Sequence, residues 1–242
     1  MTLSQPKVAV VTGGSRGIGA SVCRRLLQEG WRVIAVSKHS AGDQLEGSAE
    51  HVVADLATRE GLEAATSRIT EGTSRIDLLV NGAGAIEADE TFGTVSCASL
   101  NHSFNLHVVA PFVLTRSFRH LLAKGDRASV INIGSIYGHI ADIEAVAYCL
   151  SKASVPLLTE MMARSLAPDI RVNCILPGHV DTDMTRAAPA DFLAAVRRST
   201  PLDRIGSPEE IADTIMFLAS SQSSFITGAV IRIDGGFMTG RS

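Results

Sequence analysis

The chain has 242 residues, 45% hydrophobic and 19% charged, with a formal net charge of -3, an ordinary globular composition for one α/β domain. The near-neutral balance and the lack of a Lys/Arg run argue against nucleic acid or an anionic membrane as main partner. No apolar run reaches the roughly 18 residues a membrane helix needs, and the opening MTLSQPK is too short and polar for a signal peptide, so a cytoplasmic or organelle-matrix location is expected.

KVAVVT, ending at Thr12, is a continuous apolar run suited to a strand covered on both faces. It leads into GGSRGIG, Gly13 to Gly19, and then ASVCRRLLQEG, whose Val22, Leu26 and Leu27 form one helical stripe. A glycine turn between strand and helix lets the backbone approach a pyrophosphate, and the free N–H groups of the helix attract its charge. The spacing Gly13-x-x-x-Gly17-x-Gly19 departs from the G-x-G-x-x-G fingerprint. A second strand, RVIAVS, ends at Ser37, where dinucleotide-binding sheets choose their cofactor. A carboxylate there takes the ribose hydroxyls of NAD, whereas cations take the 2'-phosphate of NADP. Here stand Ser37, Lys38 and His39, and Arg16 of the glycine turn could reach the same phosphate, so NADP is favoured. The alternative is that both cations are simply solvated.

EHVVAD supplies a third strand ending at Asp55, and REGLEAATSRITE reads as a surface helix. RIDLLVNGAG is a fourth strand ending in Asn81-Gly82-Ala83-Gly84, either a tight turn or a surface against which a ring or sugar can lie. Glu87 to Cys97 reads as loop. One long helix is expected from Ser99 to Gly125, with Pro111 inside it and Asn105 near its middle, the Asn being either a satisfied amide or the holder of a water. ASVINIGS is a fifth strand ending at Ser135, followed by a helix from Ala145 to Leu166 with Pro156 inside, where a kink or a water is expected. IRVNCILPG closes on Pro177-Gly178. The stretch 179–206, polar turns with a short helix, should be the most mobile region and a substrate lid. Ser207, Pro208 and Glu210 make a capping-box helix start, and AVIRIDGG is the last strand.

Strand and helix alternate throughout, which implies a single α/β domain over 1–242 with a doubly wound parallel sheet and helices on both faces. Such sheets bind ligands beyond the carboxyl ends of their strands, where the glycine turn, Asn81, Ser135 and Pro177 fall. Tyr148 and Lys152, four apart, share one helix face. An ammonium ~4 Å from a phenol at an effective dielectric of ~20 favours phenolate by as much as roughly 4 kcal/mol, towards a useful acid–base range. The same spacing also arises by chance. The four scattered cysteines, Cys23, Cys97, Cys149 and Cys174, show no metal-ligand spacing, so no metal is expected.

TGGSRGIG (12 to 19), Asp55-Leu56, NGAG (81 to 84), Asn105, Ser135, YCLSK (148 to 152), NCILPG (173 to 178) with Thr182, and ITGAVIRIDGG (226 to 236) together resemble the short-chain dehydrogenase/reductases over nearly the whole chain. The resemblance implies a nicotinamide-dependent oxidoreductase on a seven-stranded Rossmann sheet, usually a homotetramer. It makes Tyr148 the general acid or base, Lys152 the group that lowers its pKa and holds the nicotinamide ribose, Ser135 the donor to the substrate oxygen, and Asn105 the holder of a relay water. Gly13, Ser15, Arg16, Gly17, Ile18 and Gly19 would line the phosphates and adenosine, with Ser37, Lys38 and His39 beyond them. Asp55 and Leu56 would meet the adenine, Asn81, Gly82 and Ala83 the nicotinamide ribose, and Pro177, Gly178, Val180 and Thr182 the carboxamide and phosphates. Gly82 stands where the family more often has Asn or Ala, which would loosen the cofactor wall, and Pro156 lies in the helix that usually packs on its copy in the dimer.

The C-terminal third is similar to 3-oxoacyl-acyl-carrier-protein reductases, which use NADPH. An acidic carrier protein would be received by cations, for which Arg119, Lys124, Arg127 and Arg171 are candidates. These endings are shared with relatives acting on sugars, steroids and small ketones. An oxidoreductase of another ketone or alcohol, and a non-catalytic NADP-binding subunit, are therefore the competing readings.

Overall fold

The apolar runs become strands because each has two faces to bury. In β1 (Val8–Thr12), Val8 and Val10 enter one core while Ala9 and Val11 enter the other, the alternation of a strand covered on both sides. The computed structural model describes residues 5–40, 49–86 and 91–240. These form one seven-stranded sheet in the order β3-β2-β1-β4-β5-β6-β7, each neighbouring pair parallel. The other strands are β2 (Arg32–Ser37), β3 (Glu50–Val53), β4 (Leu78–Asn81), β5 (Ser129–Ile133), β6 (Arg171–Pro177) and β7 (Val230–Ile233). The chain steps outward from β1 to β3 and then returns to place β4 against β1, opening a crevice at their C-terminal ends.

Helices α1 (Gly17–Gln28) and α8 (Pro208–Ala219) bury Leu26, Ile215 and Leu218 on one face. On the other face, α2 (Arg59–Gly72), α4 (Ala110–Leu122) and α5 (Val146–Leu166) bury Ile69, Phe118 and Met162. Ser207 accepts from Glu210 N at 3.3 Å, Glu210 Oε2 accepts from Ser207 N at 2.8 Å, and Pro208 opens α8, completing the expected capping box. Among the described residues no helix is long and apolar enough to cross a membrane.

The long helix expected over Ser99 to Gly125 is three pieces: α3 (Cys97–Phe104), a π-helical turn (Asn105–Val109) and α4. Pro111 explains the break. It has no N–H to give the carbonyl of His107, so the chain passes through a wider turn in which Ala110 N donates to Asn105 O. The wider turn changes which residue faces inward. His107 is 2% exposed, whereas Asn105 is exposed. Of the loop expected from Glu87 to Cys97, residues 87–90 lie outside the described residues, and Cys97 already opens α3.

Helix α5 runs unbroken through Pro156. The missing donor frees the carbonyl of Lys152, and the 3-10 turn Ile136–Gly138 lies against it: a Cβ on Gly138 would stand 2.8 Å from that oxygen. The stretch 179–206 holds two helices where one was expected, α6 (Asp183–Arg186) and α7 (Ala190–Ser199).

Below the crevice a buried polar ladder ties the layers together. Asn81 Nδ2 donates to Asn132 Oδ1 at 2.8 Å and to Thr115 Oγ1 at 3.3 Å, and Asn132 Nδ2 donates to Thr159 Oγ1 at 2.9 Å. Removing Asn132 takes one of the two partners from the amide of Asn81, which keeps Thr115, and one from the hydroxyl of Thr159, which still donates to Val155 O. Asn132→Ala is expected to lose about 2–4 kcal/mol in urea unfolding, and Asn105→Ala less than about 0.5 kcal/mol.

Candidate active site

Ser135 lies just past β5, and its hydroxyl accepts from Tyr137 N at 3.1 Å. Helix α5 brings Tyr148 and Lys152 to the same place from its first two turns, both buried. Ser135 is near enough to Tyr148 for its hydroxyl to favour the ionised phenol. Lys152 Nζ donates to the carbonyl of Ile133 at 2.8 Å and stands 5.7 Å from the Tyr148 ring centroid. Burial pushes the Tyr148 phenol above its ordinary pKa, against the smaller opposing pull of the Ser135 hydroxyl. Burial also pushes Lys152 down to about 8. In the protein alone the net shift of Tyr148 is upward and is set by burial, with Ser135 as the group that pulls against it. The ammonium is engaged by the Ile133 carbonyl, and desolvation dominates the phenol. Tyr148 is consequently a neutral phenol near pH 7, a proton donor.

Asn105 does not join this group. It lines an outer cleft with Thr58, Arg59, Glu63 and Arg116. Two residues on, the π turn presents His107 instead, stacked edge-on against Tyr148 with ring centroids 5.4 Å apart. Its tautomer follows from its neighbours. Ser151 Oγ already donates to Tyr148 O at 2.9 Å, so at its 2.8 Å contact with His107 Nδ1 it must accept, and Nδ1 carries the hydrogen. Nε2 is left as an acceptor, 3.4 Å from Ala85 N. A Cβ on Gly84 would sit 3.4 Å from His107 Nε2 and 3.8 Å from Lys152 Nζ, so the two nitrogens border one small space. Desolvation, with Lys152 and His102 adding to it, holds the His107 pKa well below the ordinary histidine value. The sequence signal that could have found His107 is Pro111, four residues later.

The glycine turn forms a cradle that fits a dinucleotide. Gly13 has φ +72, and a Cβ there would lie 2.7 Å from Gly82 O, so the turns after β1 and β4 touch. Gly17 has φ +54 and faces Thr182, whose Cγ2 would be 3.2 Å from an added Cβ, while Gly19 backs directly onto the Gly13 carbonyl. Helix α1 begins with no side-chain cap on Arg16 and no acidic residue in its first turn, leaving N–H groups for an anion between half-buried Ser15 and Ile18. Thr12, which sequence reasoning passed over, secures the cradle. Its hydroxyl accepts from Gly82 N at 2.9 Å and Ala83 N at 3.1 Å and donates to Val80 O at 3.3 Å.

Several expected roles change. The Asn81 side chain belongs to the core ladder, and Leu56 and Val180 point into the core, so these positions can offer a cofactor only backbone. Gly82 does not loosen the wall, because Ile133 Cδ1 and Thr12 O would lie 3.0 and 2.9 Å from its Cβ. Pro177 ends β6 buried, and Gly178 packs on Asp234. At the adenosine end, Ser37 donates to His39 O at 2.7 Å and is 2.8 Å from His51 Nε2. Lys38 Nζ pairs with Asp55 Oδ2 at 2.8 Å, and this hydrogen bond holds the Asp55 carboxyl below its ordinary range. Arg16 is exposed.

The four cations expected at the mouth are elsewhere in the chain. Arg119 and Lys124 lie at the end of α4, Arg127 precedes β5 and Arg171 opens β6, all at the N-terminal edge of the sheet. Arg171 is moreover engaged structurally, donating to Leu218 O at 2.8 Å and Ile226 O at 3.3 Å.

A family model described as "Enoyl-(Acyl carrier protein) reductase" matches residues 13–238. The chain belongs to the short-chain dehydrogenase/reductase family. It is 33% identical to a 3-oxoacyl-[acyl-carrier-protein] reductase of Thermotoga maritima, over 96% of this chain and 98% of that protein. In fold it is similar to the Pseudomonas aeruginosa RhlG/NADP active-site complex, with a TM-score of 0.88, 34% identity and 96% of each chain covered. It is also similar to 4-hydroxyisoleucine dehydrogenase complexed with NADH, with a TM-score of 0.89, 28% identity, and 97% of this chain and 100% of that chain covered. As a member of this family the protein is an oxidoreductase of the ketone–alcohol type that binds a nicotinamide cofactor.

The buried state of His107 makes a pH prediction. Unfolded, a histidine binds a proton near ~6.5, whereas folded His107 binds one only at much lower pH. Its contribution is therefore complete above ~6.5 and is lost as pH falls below that value, at up to ~1.4 kcal/mol per pH unit. His107→Gln should flatten the acid-side slope of stability by about one proton in urea midpoints taken from pH 7 downward. An unchanged slope would mean that folded His107 already carries its proton.

Proposed function

We propose that this enzyme is an NADPH-dependent reductase of a 3-oxoacyl thioester, carried on acyl-carrier protein or coenzyme A. The observation that carries the proposal is the convergence of Ser135, Tyr148 and Lys152, all three buried, with the Lys152 ammonium 5.7 Å from the Tyr148 ring and Tyr148 kept neutral by burial. Bound nicotinamide supplies the hydride. Ser135 donates to the ketone oxygen, and Tyr148 gives that oxygen its proton. Lys152, acidified to about 8, is the proton reserve behind Tyr148 and would hold the ribose hydroxyls of a bound nicotinamide nucleotide. His107 Nε2 is the acceptor beside Lys152 and takes the relay position that sequence reading gave to Asn105.

Arg16 and Lys38 support NADPH over NADH, with Lys38 exchanging Asp55 for the 2'-phosphate. The reductase relative from Thermotoga maritima supports the thioester. The stretch 179–206 serves as the lid: Thr182 reaches Gly17 and His179 reaches Tyr137. Exposed Leu150, Leu157 and Met161 on α5, with exposed Val109 on the π turn and Phe112 on α4, support self-association, which the family resemblance makes a homotetramer.

The test is NADPH or NADH oxidation with acetoacetyl thioester, followed by absorbance. Tyr148→Phe should lower kcat by about 10²–10⁴-fold with NADPH binding retained. Asn105→Ala should leave kcat within about twofold, whereas His107→Ala should lower it. Turnover of a polyhydroxy ketone but not of thioester would move the substrate to that class. Preference for NADH would overturn the argument from Lys38 and Arg16. Tight NADPH binding without turnover across a ketone panel would make the protein a binding subunit.

A further inference from the structure

Both tyrosines of the chain are at this site, with ring centroids 6.2 Å apart. The one without a role so far is Tyr137, two residues past Ser135 and tied to it through the 3.1 Å bond from Tyr137 N to Ser135 Oγ. Tyr137 is half-buried, and its phenol oxygen lies 3.2 Å from His179 Nε2. His179 is held from several sides. Its carbonyl accepts from Gly206 N at 3.0 Å, and Phe192 and Phe237 pack edge-on against its ring at 5.8 and 4.9 Å.

Who donates to whom decides what Tyr137 can do. His179 Nδ1 is buried with no hydrogen-bond partner. With the hydrogen on Nδ1, the protein would bury an unpaired N–H among aromatic rings. With the hydrogen on Nε2, only a lone pair goes unpaired. Orphaned buried N–H groups are the rarer of the two kinds. The neutral tautomer therefore carries its hydrogen on Nε2 and donates it to the Tyr137 oxygen. That leaves the Tyr137 hydroxyl proton for another acceptor. The charge of Asp142 is felt at Tyr137, but the hydrogen bond observed at the phenol is the one to His179, and Asp142 Oδ1 accepts from Glu144 N at 2.8 Å. Burial raises the Tyr137 pKa to about 12, so the proton stays on. Burial also lowers the His179 pKa, so this wall offers no cation to a carboxylate or phosphate and suits a neutral oxygen.

We infer that Tyr137 is a second oxygen-binding donor of the site, holding the thioester carbonyl of a 1,3-dicarbonyl substrate while Ser135 and Tyr148 hold its ketone. The inference rests on the thioester reading above, since a simple ketone has no second oxygen two carbons away. His179 is a positioning residue that fixes the direction of the Tyr137 hydroxyl.

The experiment compares kcat/KM for acetoacetyl-N-acetylcysteamine with that for a monoketone of equal length carrying a methylene in place of the thioester carbonyl. Tyr137→Phe should lower the thioester value by about 10–100-fold and leave the monoketone value within about twofold. Equal losses on both substrates, or no loss on either, would overturn the inference while leaving the thioester reading intact. A wild-type enzyme that reduces the monoketone but not the thioester would overturn both.

Discussion

A buried ammonium organises this active site. Lys152 is 5% exposed, and a charge so placed is tolerated only where fixed dipoles replace water. The carbonyl of Ile133, at the C-terminal end of β5, is one such dipole at 2.8 Å. The neutral His107 ring, with Nε2 as acceptor, borders the same small space. Even so, desolvation wins over these partners and drives the lysine down to about 8. The result is a lysine that can release and recover a proton near neutrality, placed behind a phenol that burial keeps protonated. Neither property needs a bound ligand; both follow from where β5 ends and how deeply α5 is packed.

The packing that creates this burial is itself unusual in its backbone. Pro156 in α5 and Pro111 in α4 each withhold a hydrogen bond from a carbonyl four residues earlier, and those carbonyls belong to Lys152 and His107. One loss is met by the close approach of Gly138, the other by a π turn that rotates His107 inward. Two prolines, each one turn past a residue of the site, thus shape the backbone on both sides of the ammonium. The Asn81–Asn132–Thr159 ladder fixes the strands beneath, which keeps the Ile133 carbonyl where the lysine needs it.

What could be read from the residues in order was whatever depends on local spacing. Tyr148 and Lys152 share a helix face because they are four apart, the glycine turn follows a strand and precedes a helix, and strand–helix alternation dictates a parallel sheet. Asn105 lies outside the group for a physical reason. A π turn adds residues to a helical turn, so periodicity counted at 3.6 residues exposes the wrong side chain, and His107 takes the inward position. The Lys38–Asp55 pair, the core direction of Asn81 and the Ile133 contact that closes the wall at Gly82 are long-range contacts with no local signature. Arg119, Lys124, Arg127 and Arg171 were legible as cations, but the sheet edge that receives them depends on strand direction, which places them opposite the crevice within one chain.

The segment after β6 joins the two halves of the site. Val180 bridges to Gly206, and Gly206 N donates to His179 O at 3.0 Å, so the loop is closed at its base while α6 and α7 stand beyond it. His179 belongs to that fixed base. The hydrogen bond that aims the Tyr137 hydroxyl is therefore set whether or not the outer loop moves. Thr182, just past the base, rests against Gly17 of the cofactor cradle, and Phe192, farther out on α7, rests on the His179 ring and is 42% exposed. Movement of the outer loop would shift the apolar cover before it shifted either polar anchor. On the proposal that 179–206 is a lid, such a base would let it exclude water from the ketone without disturbing the groups proposed to hold its oxygens.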